Sequence, residues 1–164
     1  MFKKGEYVVY GSKGVCWIQD ITNIDIPGAD QKRLYYIMHP VQNSEQTLYL
    51  PTDSTKAIIR RVMTREEANQ LIQEIPLIED LEVPNEKQRE ASYRQALNGC
   101  SGRAWVSILK TLNKRKEERL AAGKKVTALD ERYLRVPQQE LYGELSVALG
   151  IEKETMHDYI QERI

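Results

Sequence analysis

The sequence predicts an α+β protein: a small antiparallel β-barrel or curled sheet, followed by an all-α bundle of short helices. Three observations carry that prediction. Up to about residue 60 the apolar residues fall in short β-branched and aromatic runs. Beyond it they recur at three- and four-residue spacing. Gly and Pro separate the runs in the first part, whereas Thr64 and Asn85 at cap positions open segments of the second.

The opening stretch GEYVVYGSKGVCWI contains two strand-like runs, Glu6-Tyr7-Val8-Val9-Tyr10 and Val15-Cys16-Trp17-Ile18, joined by a break that carries Gly11 and Gly14. Glycine populates positive φ without steric cost, so these two residues are read as the means by which the chain turns tightly. Arg33-Leu34-Tyr35-Tyr36-Ile37-Met38 and Thr47-Leu48-Tyr49-Leu50 repeat the pattern, Pro27-Gly28 marks a turn, and Pro51-Thr52-Asp53 closes the last strong strand. Four or five short strands with no helical pattern between them imply antiparallel pairing.

Thr64-Arg65-Glu66-Glu67 fits a capping box, after which Ala68, Leu71, Ile72 and Ile75 form an apolar stripe. Pro76 and Pro84 bracket an acidic stretch that reads as a linker, and Asn85 with Gln88 caps a helix through about Leu97. Trp105, Ile108, Leu109 and Leu112 mark the next helix, which stops at Ala121-Ala122-Gly123 and places Trp105 in a core. Leu129, Tyr133 and Leu134 start a further helix, Leu141, Leu145, Ala148 and Leu149 continue its pattern, and Met156, Tyr159 and Ile160 make a last amphipathic turn. The domains so expected are residues 1–62, a helix and linker over 63–84, and a helical domain over 85–164.

Composition narrows the function. Apolar residues make up 41% and charged residues 29% of the 164, as in soluble globular proteins. No run approaches the roughly 18 apolar residues of a membrane span. The basic start, Met1 to Gly5, leads into a strand pattern rather than an export segment, so a cytoplasmic location is expected. Cys16 and Cys100 are too few for a disulfide framework and read as packing residues. His39 and His157 lie far apart without a second ligand at metal spacing, and neither has a neighbouring nucleophile. No glycine-rich phosphate loop is present. A non-enzymatic protein without metal or cofactor is the expectation.

The neutral total hides an uneven charge distribution. From Pro84 to Arg135 there are 13 Lys and Arg against 6 Asp and Glu, a surplus of seven, while Val136 to Ile164 has 2 against 6, a deficit of four. Lys114-Arg115-Lys116 with Arg119, and Lys124-Lys125, are the densest stretches. Backbone contact with nucleic acid needs such a region, but Glu117 and Glu118 beside the first cluster equally fit a solvated helix face. Both readings stay open on composition.

The pattern Gly5, Val8, Val9, Tyr10, Gly14, Ile18 resembles the opening of the CarD/CdnL family of bacterial transcription regulators. That module is also similar to the polymerase-interacting domain of transcription-repair coupling factor. LYLPTD and IIRRVMTREEANQLI resemble the family's next segments, and LKTLNKRKEERLAAGKKVTALDERYL followed by ELYGELSVALG resembles its C-terminal helices, so the likeness runs over nearly the whole chain. The resemblance implies a Tudor-like barrel that docks on the RNA polymerase β subunit through an exposed edge strand. It further implies a helical domain that touches promoter DNA near the upstream edge of the melted region, largely independently of sequence, and so stabilises the open complex.

Carried over by position, the resemblance implies DNA contacts at Arg89, Arg94 and Lys125 with its neighbour Lys124, to which the charge clusters add Lys114 and Arg115. Many members place a tryptophan wedge before the helical domain, where this chain has NEKQREASYRQAL with Arg89 at the matching position. Two family arginines of the polymerase contact fall at Ile24 and Tyr49, which leaves an interface built on Tyr35, Tyr49 and main-chain pairing. Tyr35 and Tyr49 fit the barrel core equally well. The expected state is a monomer, away from membranes. A polymerase-binding adaptor without productive DNA contact is the alternative.

Overall fold

The computed structural model describes residues 1–164, apart from the side chain of Ser12. The chain divides into two compact units, Met1–Val62 and Met63–Ile164.

The first unit is one antiparallel sheet of five strands: β1 (Tyr7–Tyr10), β2 (Val15–Thr22), β3 (Tyr35–Pro40), β4 (Leu48–Pro51) and β5 (Ile59–Arg61), in the spatial order β4-β3-β2-β1-β5. The sheet is open, because β4 and β5 lie at opposite edges and are not paired with each other. Of the two forms expected, barrel or curled sheet, the strand pairing gives an antiparallel sheet that does not close. Its edge strands are short, of four and three residues. β2, the longest strand, carries a register irregularity between Ile18 and Asp20, which bends the strand and strengthens its twist.

Alternation along the strands puts Val8, Cys16, Ile18, Tyr36, Met38 and Leu50 on one face, where they form a buried cluster with Phe2, Tyr10 and Ile59 packed against it. Between β1 and β2 a short 3-10 turn, Gly11–Lys13, is followed by Gly14 at φ 74° and ψ −152°. That combination is essentially closed to residues with a Cβ. Gly11 is also left-handed, at φ 46°, so both glycines of the opening motif turn the chain in the way their spacing predicts.

The second unit contains α1 (Arg65–Glu74), α2 (Arg89–Asn98), α3 (Gly102–Ala121), α4 (Ala128–Leu149) and α5 (Met156–Gln161), with 3-10 turns before α2 and α5. The two expected caps form: Thr64 Oγ1 accepts from the Glu67 amide at 3.1 Å, and Asn85 Oδ1 accepts from the Gln88 amide at 3.1 Å. The helices are not uniformly short, since α3 has 20 residues and α4 has 22. α4 runs unbroken through Pro137, whose missing N–H and ring clash cost a helix interior about 3 kcal/mol. Leu141, Leu145 and Leu149 beyond the proline are buried, and that burial holds the second half of α4 in line with the first.

Tyr93, Ile108 and Leu112 are fully buried, with Leu81, Val83, Leu97, Leu129 and Tyr133 around them. Trp105, on the same stripe of α3, is also buried. At the start of α3 a Cβ on Gly102 would come within 2.9 Å of a Leu71 methyl, so the absence of a side chain there lets α1 and α3 approach closely. Both cysteines are buried and no disulfide joins them. Among the described residues, no helix is long and apolar enough to cross a membrane.

Candidate functional site

Each unit presents one candidate surface. In the sheet it is the β4 edge. β4 pairs with β3 alone, with Tyr36 opposite Leu50 and Ile37 opposite Tyr49, so its outer row of amides and carbonyls faces no other strand. Leu50 points into the core and Tyr49 points away from it, 42% exposed. Ile24 and Tyr35 are buried instead. The Tyr35 hydroxyl accepts from the Asp30 amide at 3.2 Å, and Asn23 Nδ2 donates to the carbonyls of Gln31 and Arg33, so these contacts tie down the loop between β2 and β3. Of the three residues predicted for partner contact, only Tyr49 offers its side chain to solvent. Beside it, Arg33 pairs with Asp53 at 2.5 Å, and that hydrogen bond holds the aspartate below its usual range.

Sequence reading did not single out the rest of the solvent-facing side of the sheet. Cross-strand register sets Tyr7 opposite Trp17 and Trp17 opposite His39. The Trp17 and His39 rings stack at 6.3 Å. Period-two alternation could have found this row, because Tyr7 and Trp17 are each one residue out of phase with the buried Val8, Cys16 and Ile18.

In the helical unit the candidate surface is cationic, and its residues divide into two kinds. Arg89 and Arg115 are bound within the fold. Arg89 donates to both carboxylate oxygens of Glu86, through Nε at 3.1 and 3.0 Å, and through Nη1 to the Tyr93 hydroxyl at 3.0 Å. The Tyr93 hydroxyl in turn donates to Asp130 Oδ1 at 3.0 Å, and Arg115 Nε donates to Asp130 Oδ2 at 2.6 Å. Asp130 also takes part in the N-terminal cap of α4, its amide donating to Thr127 Oγ1 at 3.1 Å. This chain of charge-assisted bonds crosses from α2 to α3 and α4. Its electrostatic marks are consistent. The bond to Glu86 raises the Arg89 pKa, the same bond lowers that of Glu86, and burial raises that of the Tyr93 phenol.

The remaining cations point outward. Lys124 and Lys125 are exposed on the α3–α4 loop, which is held by Arg119: its carbonyl accepts from the Lys124 amide at 2.8 Å, and its Nε donates to the Lys125 carbonyl at 2.7 Å. Lys116, Leu120 and Lys125 line a hollow of about 370 Å³ there, with Leu120 itself exposed. Lys114 is exposed and lies 3.6 Å from Asp80. Arg94 is exposed and pairs with Glu90 at 3.2 Å, where Arg132 Nη2 joins it at 2.7 Å. Sequence reading missed Arg132. It counted toward the basic surplus, but nothing in the linear pattern shows that the first turns of α4 reach α2.

The described residues contain no group of three or more His, Cys, Asp and Glu placed to hold a metal ion. No curated protein matches the chain. Residues 2–63 match the family model of the CarD-like/TRCF RID domain, which takes in nearly all of the first unit and leaves α1 to α5 outside. The open five-stranded sheet of the first unit is thus similar to the CarD-like/TRCF RID domain.

Proposed function

We propose that this chain is a bacterial transcription regulator that tethers to the RNA polymerase β subunit through residues 1–62 and contacts promoter DNA through its helical unit. The contact lies near the upstream edge of the melted region and stabilises the open complex, without chemistry of its own and largely without reading base sequence. The CarD-like/TRCF RID domain is the observation that carries the polymerase half. The open β4 edge with Tyr49 exposed gives that contact a physical route, in which a polymerase strand extends the sheet and tyrosine supplies side-chain area. The bend in β2 supports reading the sheet as Tudor-like.

The DNA half rests on the basic surplus between Pro84 and Arg135 and on the outward cations Arg94, Lys114, Lys124 and Lys125. Cations of this kind act on phosphates through counterion release and carry no base code. One observation favours the adaptor reading, in which polymerase is bound but DNA is not gripped: Arg89 and Arg115, two of the six cations predicted for DNA, are spent on Glu86, Tyr93 and Asp130.

Co-elution of the full chain with purified bacterial RNA polymerase tests the tether. The wild type is expected to co-elute and Tyr49→Ala to do so more weakly, by about 1 to 2 kcal/mol for an interface tyrosine. No co-elution of the wild type contradicts the tether. Footprinting of the same complex on a promoter separates the regulator from the adaptor, because only the regulator extends the protected region upstream.

A further inference from the structure

We propose that Arg94 and Arg132 form a two-arginine clamp for a single DNA backbone phosphate, and that Glu90 is the clamp's resident competitor. This inference rests on the DNA-contacting reading above and names one of its contact points. A single oxygen, Glu90 Oε1, accepts from Arg94 Nη2 at 3.2 Å, from Arg132 Nη2 at 2.7 Å and from the Tyr133 hydroxyl at 3.1 Å. Arg94 sits one turn beyond Glu90 on α2, while Arg132 and Tyr133 come from the first turns of α4. Two guanidinium groups repel unless an anion lies between them, so Glu90 holds them together. The Tyr133 hydroxyl first, and then the two arginines, hold the Glu90 carboxyl below its ordinary value.

As a stabilising device the arrangement is weak, because both arginine side chains are 64% exposed and Glu90 is 41% exposed. Its consequence is geometric. Each guanidinium has five N–H donors in a planar fork, and only part of each fork is used on Glu90. The Arg132 group also lies 5.0 Å from the Tyr133 ring centre, which limits its freedom. What remains is a pair of pre-oriented, solvent-facing forks that converge on one anionic oxygen. A phosphodiester oxygen meets the same donors, and duplex DNA presents such oxygens along a rigid line. Glu90 opposes it, since a carboxylate and a phosphate at one pair of forks repel.

The test uses the full chain and a short labelled duplex, with affinity followed against salt. Arg94→Ala, Arg132→Ala and the double variant are each expected to reduce the salt slope by about one, the double by no more than either single, because all three remove the same phosphate. Between about 50 and 200 mM salt, that difference in slope corresponds to about a 3.5-fold difference in how far affinity falls. Glu90→Gln is expected to tighten binding, by a similar factor, at the low-salt end. All four variants alter exposed side chains, and unchanged thermal unfolding confirms that each is folded.

A wild type that binds DNA while both arginine variants keep its slope overturns the clamp and leaves DNA contact standing. A double variant that loses twice the slope of either single shows two separate contacts and overturns the shared site. Weaker or unchanged binding by Glu90→Gln overturns the competitor role. Absence of any wild-type binding to DNA contradicts the DNA-contacting reading itself, and the clamp with it.

Discussion

Arg115 Nε donates to the buried Asp130 Oδ2 at 2.6 Å, and this pair ties the middle of α3 to the first turn of α4. The Asp130 side chain is only 3% exposed, and its other oxygen accepts from the buried Tyr93 hydroxyl. The network therefore sets how α2, α3 and α4 present the outward lysines and arginines, although none of its members needs to touch a partner.

Removing one partner of such a pair leaves a buried charge without compensation. Arg115→Ala is expected to destabilise the helical unit by about 3 kcal/mol, the lower end for a buried pair because the Arg115 side chain is 22% exposed. Urea unfolding followed by circular dichroism checks it. A loss below about 0.5 kcal/mol would assign the bond to the class of surface pairs that contribute little.

Gly14 gives an independent test in the sheet. Its φ of 74° and ψ of −152° lie where a Cβ clashes with the backbone. Gly14→Ala is expected to cost about 1 to 3 kcal/mol, seen as a lower Tm, while Gly99→Ala, at a glycine with φ −74° and open space around it, costs far less.

Glu140 supplies a pH signature. One of its carboxylate oxygens is buried without a hydrogen-bond partner among the described residues. Burial first, and Glu144 to a lesser degree, push its pKa up to about 7, against the pull of Lys153. Below about pH 4.5, the ordinary glutamate value, the carboxyl is protonated in both folded and unfolded chains, and Glu140 has no ionisation cost. Between there and about 7 the unfolded chain releases the proton while the folded one keeps it, so stability falls as pH rises, and above about 7 the cost is constant. Glu140→Gln is thus expected to raise Tm relative to wild type above neutral pH and to leave it unchanged near pH 4.5. An equal shift at both ends contradicts this origin.

Much of this fold is legible in the linear chain because its signals are local. Thr64 and Asn85 cap where their spacing to Glu67 and Gln88 says they should, Gly11 and Gly14 adopt positive φ, and Trp105 lies on a stripe that must be buried. Pro137 shows where local rules stop. Taken alone it ends a helix, and only the buried leucines after it reveal why α4 continues. The open sheet was out of reach for a related reason, since alternation fixes which face a residue takes but not whether edge strands meet. The site was least legible. Arg89 and Arg94 look alike in sequence, yet Glu86 and Tyr93 enclose one while the other stays at the surface. The Tyr93 hydroxyl that receives Arg89 is itself fixed by Asp130, 37 residues further on, a distance that composition and spacing do not span.

The most direct measurement of the account is the lifetime of the open promoter complex formed by purified bacterial RNA polymerase, followed with a fluorescent probe in the melted region. The full chain is expected to lengthen that lifetime, and the Lys124→Ala/Lys125→Ala variant, which leaves the Arg115–Asp130 network and the β4 edge intact, is expected to lose most of the effect while still binding polymerase. An unchanged lifetime with the wild-type chain bound would contradict the claim that it acts by holding DNA.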